Sequence, residues 1–244
     1  MKTAGLSFGF AVFALLSPAA SFAQSPANPP TPLNDYTVSV QELAMPQKAA
    51  RAFEKGTRLL LKGDFEASVP YFRDVIGQAP YSYRAYHNLA LALSRLGQLD
   101  AAAQEFQKSI DLTNGGFAPS LFGFAMILYQ RAEYHDAETL IRRGLLDAPG
   151  SGVGNYCLGL VQFSLGRISD AERSALEALK LNPGNADPHL LLARIHERQH
   201  NPSAVLTDVQ SYLKLDPNGS LHAEALGLLR RAQQDLSPLS ASFN

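Results

Sequence analysis

The residue types best placed to do chemistry are His196, Glu197 and His200, which stand in the order HExxH. On a continuous helix that spacing puts two imidazoles on one face, where they can hold zinc, and the carboxylate between them can take a proton from the bound water. A zinc-dependent hydrolase at 196–200 is therefore the enzymatic alternative the sequence offers. Its third ligand is missing at the spacing of the longer motif, where Ser203 and Leu206 stand, and only the more distant Glu224 is a candidate. Other catalytic signatures are absent. No GxGxxG opens a helix after a strand, no phosphate loop ends in GK followed by Ser or Thr, and no GxSxG elbow occurs. Asp136 and Glu138 open a helix, where carboxylates suit the dipole. The lone thiol, Cys157, lies among apolar neighbours and reads as a small buried hydrophobe. The expectation is no catalytic residue, no cofactor and no metal.

Composition points the same way. Lys plus Arg number 21 against 22 Asp plus Glu, which gives no electrostatic reason to expect nucleic acid. Residues 1–23 read as a removable export signal: Lys2, the apolar run LSFGFAVFALL at 6–16, Pro18, and small residues at Ser21 and Ala23. Eleven apolar residues fall short of the ~20 a spanning helix needs, so no membrane span is expected once the signal is removed. The product is expected to be periplasmic or secreted. With one cysteine it forms no internal disulfide, and packing must supply its stability. Residues 24–45, with Pro26, Pro29, Pro30 and Pro32, read as a flexible spacer and lead-in.

The elements that position everything else repeat. NYCLGLVQFSLGRISDAERSALEALKLNP, residues 155–183, is a helix, a turn at Gly166 and a second helix closed by Pro183. Pro149, Pro183 and Pro217 recur every 34 residues, and Pro80 and Asn114 keep the same interval. Inside the units, Gly159 shares a column with Gly56, Ala90, Ala125 and Ala193, and Ala171 with Ser68, Ala102, Ala137 and Val205. Small residues at one level of both helices let two backbones approach closely. The turn column holds Gly63, Gly97, Ala132, Gly166 and His200. In this register His196 occupies the slot of Leu59, Leu93, Leu128 and Gln162, which reads as packing rather than ligation. Units fall at about 49–82, 83–116, 118–151, 152–185 and 186–219; residues 220–236 form a capping helix and 237–244 a frayed tail.

This pattern resembles the tetratricopeptide repeat family across roughly residues 46–217. The resemblance implies an all-α, right-handed superhelical solenoid of about five helical hairpins, with a concave groove lined by the first helix of each hairpin. The chain departs from the family in lacking Trp, with Ala52, Tyr86, Leu121, Asn155 and His189 in the favoured slot, and in carrying Pro70 inside a second helix. Carried onto this chain, the groove gathers Phe53, Arg84, His87 and Leu91, then Phe122, Met126 and Tyr129, then Tyr156, Leu160 and Phe163, then Arg194 and Arg198. An apolar, aromatic middle with basic ends suits an amphipathic or extended peptide. The expected protein is an exported, non-enzymatic adaptor for a protein or peptide partner; a structural envelope subunit would use the convex face instead.

Overall fold

The structure, a computed structural model, describes residues 45–237. The expected signal at 1–23, the expected spacer through Ala44 and the expected tail from Pro238 lie outside the described residues. Eleven helices and no strand occur among the described residues. They are α1 (Gln47–Leu61), α2 (Phe65–Gln78), α3 (Tyr83–Arg95), α4 (Leu99–Leu112), α5 (Ala118–Gln130), α6 (Tyr134–Asp147), α7 (Gly152–Ser164), α8 (Ile168–Leu181), α9 (Asp187–Arg198), α10 (Pro202–Leu215) and α11 (His222–Leu236). The fold is an all-α array of helical hairpins, as the periodicity predicts.

The chain divides into two compact units between Ile127 and Leu128, inside α5. In the first, α1 buries Ala49, Ala52, Gly56 and Leu60 and leaves charged residues outside. Gly56 permits this approach, because a side chain there would stand 3.0 Å from Phe72 on α2. Asp64 caps α2 by accepting from the Ala67 amide at 3.3 Å. Helix α2 continues through Pro70, which is exposed, so the carbonyl that loses its amide partner can be hydrated.

In the second unit, Ser151 caps α7 by accepting from the Gly154 amide at 3.0 Å, and Asn201 caps α10 from Ala204 at 3.2 Å, just before Pro202. At Gly159 an added Cβ would lie 3.2 Å from the Ala171 carbonyl and 3.0 Å from Leu191, so the small column is where α7 meets α8. The last helix, α11, sets Ala225, Leu228 and Ala232 against Ala193, Val205, Val209 and Tyr212, covering apolar surface that would face water.

The turn column has one backbone explanation. Gly63, Gly97, Ala132, Gly166 and His200 have φ of 79°, 75°, 62°, 77° and 55°, each placing a left-handed residue just after its first helix. Glycine does this freely, whereas Ala132 and His200 hold it at a cost of roughly 1 kcal/mol each.

Candidate interaction surface

The structure takes the HExxH residues apart. Helix α9 ends at Arg198, and His200 stands beyond its cap in the left-handed turn, exposed, so it does not share a helical face with His196. His196 points instead between helices: Nδ1 is 2.6 Å from Asp208 Oδ2 on α10, and Nε2 is 3.6 Å from Glu172 Oε1 on α8. Glu197 is engaged by Arg231 Nε at 2.6 Å. Glu224, the candidate third ligand, accepts two hydrogen bonds from Arg194 at 2.6 and 2.7 Å. Among the described residues no group of three or more metal-ligating side chains converges.

His196 is a polar version of a packing slot. One hairpin earlier the same pair of positions holds Gln162 and Ser174, whose hydroxyl donates to Gln162 Oε1 at 2.7 Å. Asp208 falls 34 residues after Ser174, as His196 does after Gln162. That coupled change of columns is the sequence signal for the His196–Asp208 contact.

The residues assigned to a groove divide. His87, Leu91, Phe122, Met126, Tyr156 and Leu160 are buried, so the open face that helical phase gave them is corrected to a packed one. The reason is stacking: a first helix meets its own second helix on one side and the neighbouring hairpin on the other, and its apolar residues fill both contacts. His87 sits between Phe106 and Phe117, ring centroids 5.6 and 5.2 Å away, with Nδ1 3.0 Å from Ser120 Oγ. In the first unit Phe53 stays half-buried, edge-on to Phe72, and exposed Arg84 reaches the Tyr83 hydroxyl at 3.3 Å.

In the second unit Tyr129 and Phe163 are half-buried and Arg198 is exposed. The Arg198 guanidinium lies 4.8 Å over the Phe163 ring, and its Nη1 donates to the Phe163 carbonyl at 3.4 Å. Ser164, the next residue, donates to the Tyr129 hydroxyl at 3.2 Å. Consecutive first helices are thus linked along one face at intervals of 35 residues.

The second unit also holds half-buried Arg194 and Glu224 and buried Asp187. Arg194 holds Glu224, and burial against its charge is outweighed by those hydrogen bonds, so its pKa is raised. Burial first, and the Asp216 charge second, lift the Asp187 carboxyl to about 6, with Arg194 pulling the other way. Cys157 is buried, and burial pushes its thiol up to about 12, which leaves no reactive thiolate near neutrality.

Asp187 yields a prediction. Its folded pKa lies above the unfolded value of 3.8, so the unfolded chain releases its proton first and stability falls as pH rises from about 4 through 6. The shift corresponds to a loss on the order of 2–3 kcal/mol. Asp187→Asn should become more stable than the parent by that order at pH 7.5 and show no such gap at pH 4. Chemical denaturation of both proteins across that range checks it; a difference independent of pH would refute the assignment.

Stacked hairpins with polar caps define a repeat array. No described helix is long and apolar enough to cross a membrane. A family model described as the tetratricopeptide repeat matches residues 47–117, 122–186 and 156–241, and the chain belongs to that family. Tetratricopeptide repeat protein 16 of Mus musculus is 25% identical over 206 residues, covering 80% of this chain and 26% of that protein. The chain therefore spans about a quarter of that relative's length. Among solved structures, pilF of Pseudomonas aeruginosa matches with a TM-score of 0.65 at 19% identity, covering 81% of this chain and 87% of that one. A thermophilic tetratricopeptide repeat protein of Thermus thermophilus matches with a TM-score of 0.64 at 20% identity, covering 77% of this chain and 98% of that one. At these identities the structural likeness speaks to the fold alone. Tetratricopeptide repeats support a protein–protein interaction scaffold.

Proposed function

We propose that this protein is an exported, non-enzymatic adaptor that holds an extended or amphipathic peptide of a partner protein on the first-helix face of its second unit. The observation that carries the reading is the Arg198–Phe163 stack beside the Ser164–Tyr129 hydrogen bond. It offers two partly open aromatic rings and an exposed cation on a rigid helical support. Apolar burial against the rings supplies affinity, and the guanidinium can hold a carboxylate or carbonyl of the peptide. The export half of the reading rests on the signal-like residues 1–23.

A capture experiment from the exported fraction of the source cells tests it. The parent chain and a Phe163→Ala/Arg198→Ala variant, first shown to melt alike, are compared. Proteins held by the parent should bind the variant at least tenfold more weakly, because truncating a central aromatic and a central Arg typically costs more than 1 kcal/mol each. Equal capture by both proteins would remove this face from the function and point to the opposite face of the hairpins.

A further inference from the structure

The first helix carries a row of cations that the proposed peptide-binding face does not use. Lys48, Arg51, Lys55, Arg58 and Lys62 are all exposed, and they recur at intervals of three and four residues along α1 and its C-terminal cap. At 100° per residue they fall within an arc of about 80°, and at 1.5 Å per residue the row is about 21 Å long. Glu54, Asp64, Glu66 and Asp74 are the nearest carboxylates in sequence on α1, its turn and α2, all exposed, and among the described residues no salt bridge joins any of them to the row. Lys55 alone has a defined contact, 4.7 Å over the Tyr71 ring.

Helix stability accounts for only part of the row: Arg58 and Lys62 at its C-terminal end suit the dipole, and Glu54 stands four residues before Arg58. Like charges three and four residues apart weaken a helix, and Lys48 sits in the first turn, where the dipole disfavours cations and where α1 has no acidic residue. We propose that this row is a docking surface for an anionic phospholipid bilayer. Three of the five are Lys, whose flexible point charges suit a diffuse, planar array of phosphates better than the bidentate geometry an acidic protein site rewards. Nucleic acid is disfavoured because the half-buried rings nearest the cations are already engaged within the protein: Phe53 is edge-on to Phe72, and Tyr71 lies under Lys55. The docking would orient the array on a membrane surface, and it stands whether or not the peptide face acts as proposed.

Each basic side chain near an anionic surface raises partitioning about fivefold. The full chain is mixed with sedimentable vesicles of equal phosphatidylglycerol and phosphatidylcholine, and with vesicles of phosphatidylcholine alone, at about 0.1 M salt. Any contribution of the apolar run appears in both lipids, so the excess binding to the anionic vesicles reports the row. That excess should fall about 25-fold in Arg51→Gln/Arg58→Gln, and several hundredfold when Lys48→Gln and Lys62→Gln are added. It should vanish at about 1 M salt, where screening acts within about 3 Å. The double variant, with a matching melting curve, decides the question even if the quadruple one fails to fold. Equal binding to both lipids, or an undiminished excess in the double variant, overturns the proposal. Stronger, row-dependent binding to polyglutamate or duplex DNA than to the anionic vesicles also overturns it and reassigns the row to an acidic protein or to nucleic acid.

Discussion

Acidification from pH 7 to pH 4 is expected to cost the first unit about 3 kcal/mol through His87 alone. The imidazole is buried, and burial lowers its pKa to about 3. In the unfolded chain it takes up a proton near pH 6.5, while in the fold it stays neutral, so protons bind preferentially to the unfolded state and stability falls as pH drops below 6.5. The surroundings explain the preference: Phe106 and Phe117 rings flank the imidazole, and its only hydrogen-bond partner shown is the Ser120 hydroxyl, itself 2.8 Å from Ser109 Oγ. No carboxylate is among those contacts to accept a charged imidazolium. The check is denaturation of the parent and of His87→Leu between pH 4 and 7.5. The gap between them should shift in favour of the variant by about 3 kcal/mol on going to pH 4. An imidazole that titrates near its ordinary value in the folded protein, read by NMR, would rule the account out. Asp187 in the second unit acts with the opposite sign, so the carboxyl and imidazole variants should tilt the pH profile in opposite directions.

Gly123→Ala is the substitution expected to do most damage for its size. A Cβ at this position on α5 would stand 2.5 Å from Phe106 Cε1, and Phe106 is fully buried, so the ring or a backbone must move. Overpacking a rigid core contact typically costs about 1–3 kcal/mol, and this contact belongs near the upper end. For a chain of this size that corresponds to a melting temperature lower by roughly 5–10 °C. Gly77→Ala on α2 is the control: nothing lies within 4 Å of its added Cβ and the residue is exposed, so helix propensity should leave the protein unchanged or more stable by up to about 1 kcal/mol. Equal effects at the two glycines would show that the Phe106 contact does not govern Gly123.

Much of the fold was legible because helical hairpins are local. The Pro and Gly punctuation, the small columns at Gly159 and Ala171 and the turn column are set by backbone conformation and by side-chain volume at fixed intervals. Even Ala132 and His200 keep the left-handed turn their columns imply, which shows that the register, and not the residue type, dictates it. Gly123 was not singled out in the sequence, because it lies two residues before its unit's column position, Ala125, and its role depends on where one Phe106 ring comes to rest.

The surface was less legible, for a physical reason. Phase on a helix tells which residues share a face, but an apolar face is an interior face or a binding face according to what lies against it, and a neighbouring hairpin supplies that answer from about 30 or more residues away. The sequence by itself therefore determined the repeat, its register, its turns and its family. Tertiary structure decided that His87, Phe122, Met126 and Tyr156 are core, that His196 pairs with Asp208, and that Phe163 stays half-buried under an exposed Arg198. Burial is a property of pairs of elements, and no single element's pattern contains its neighbour.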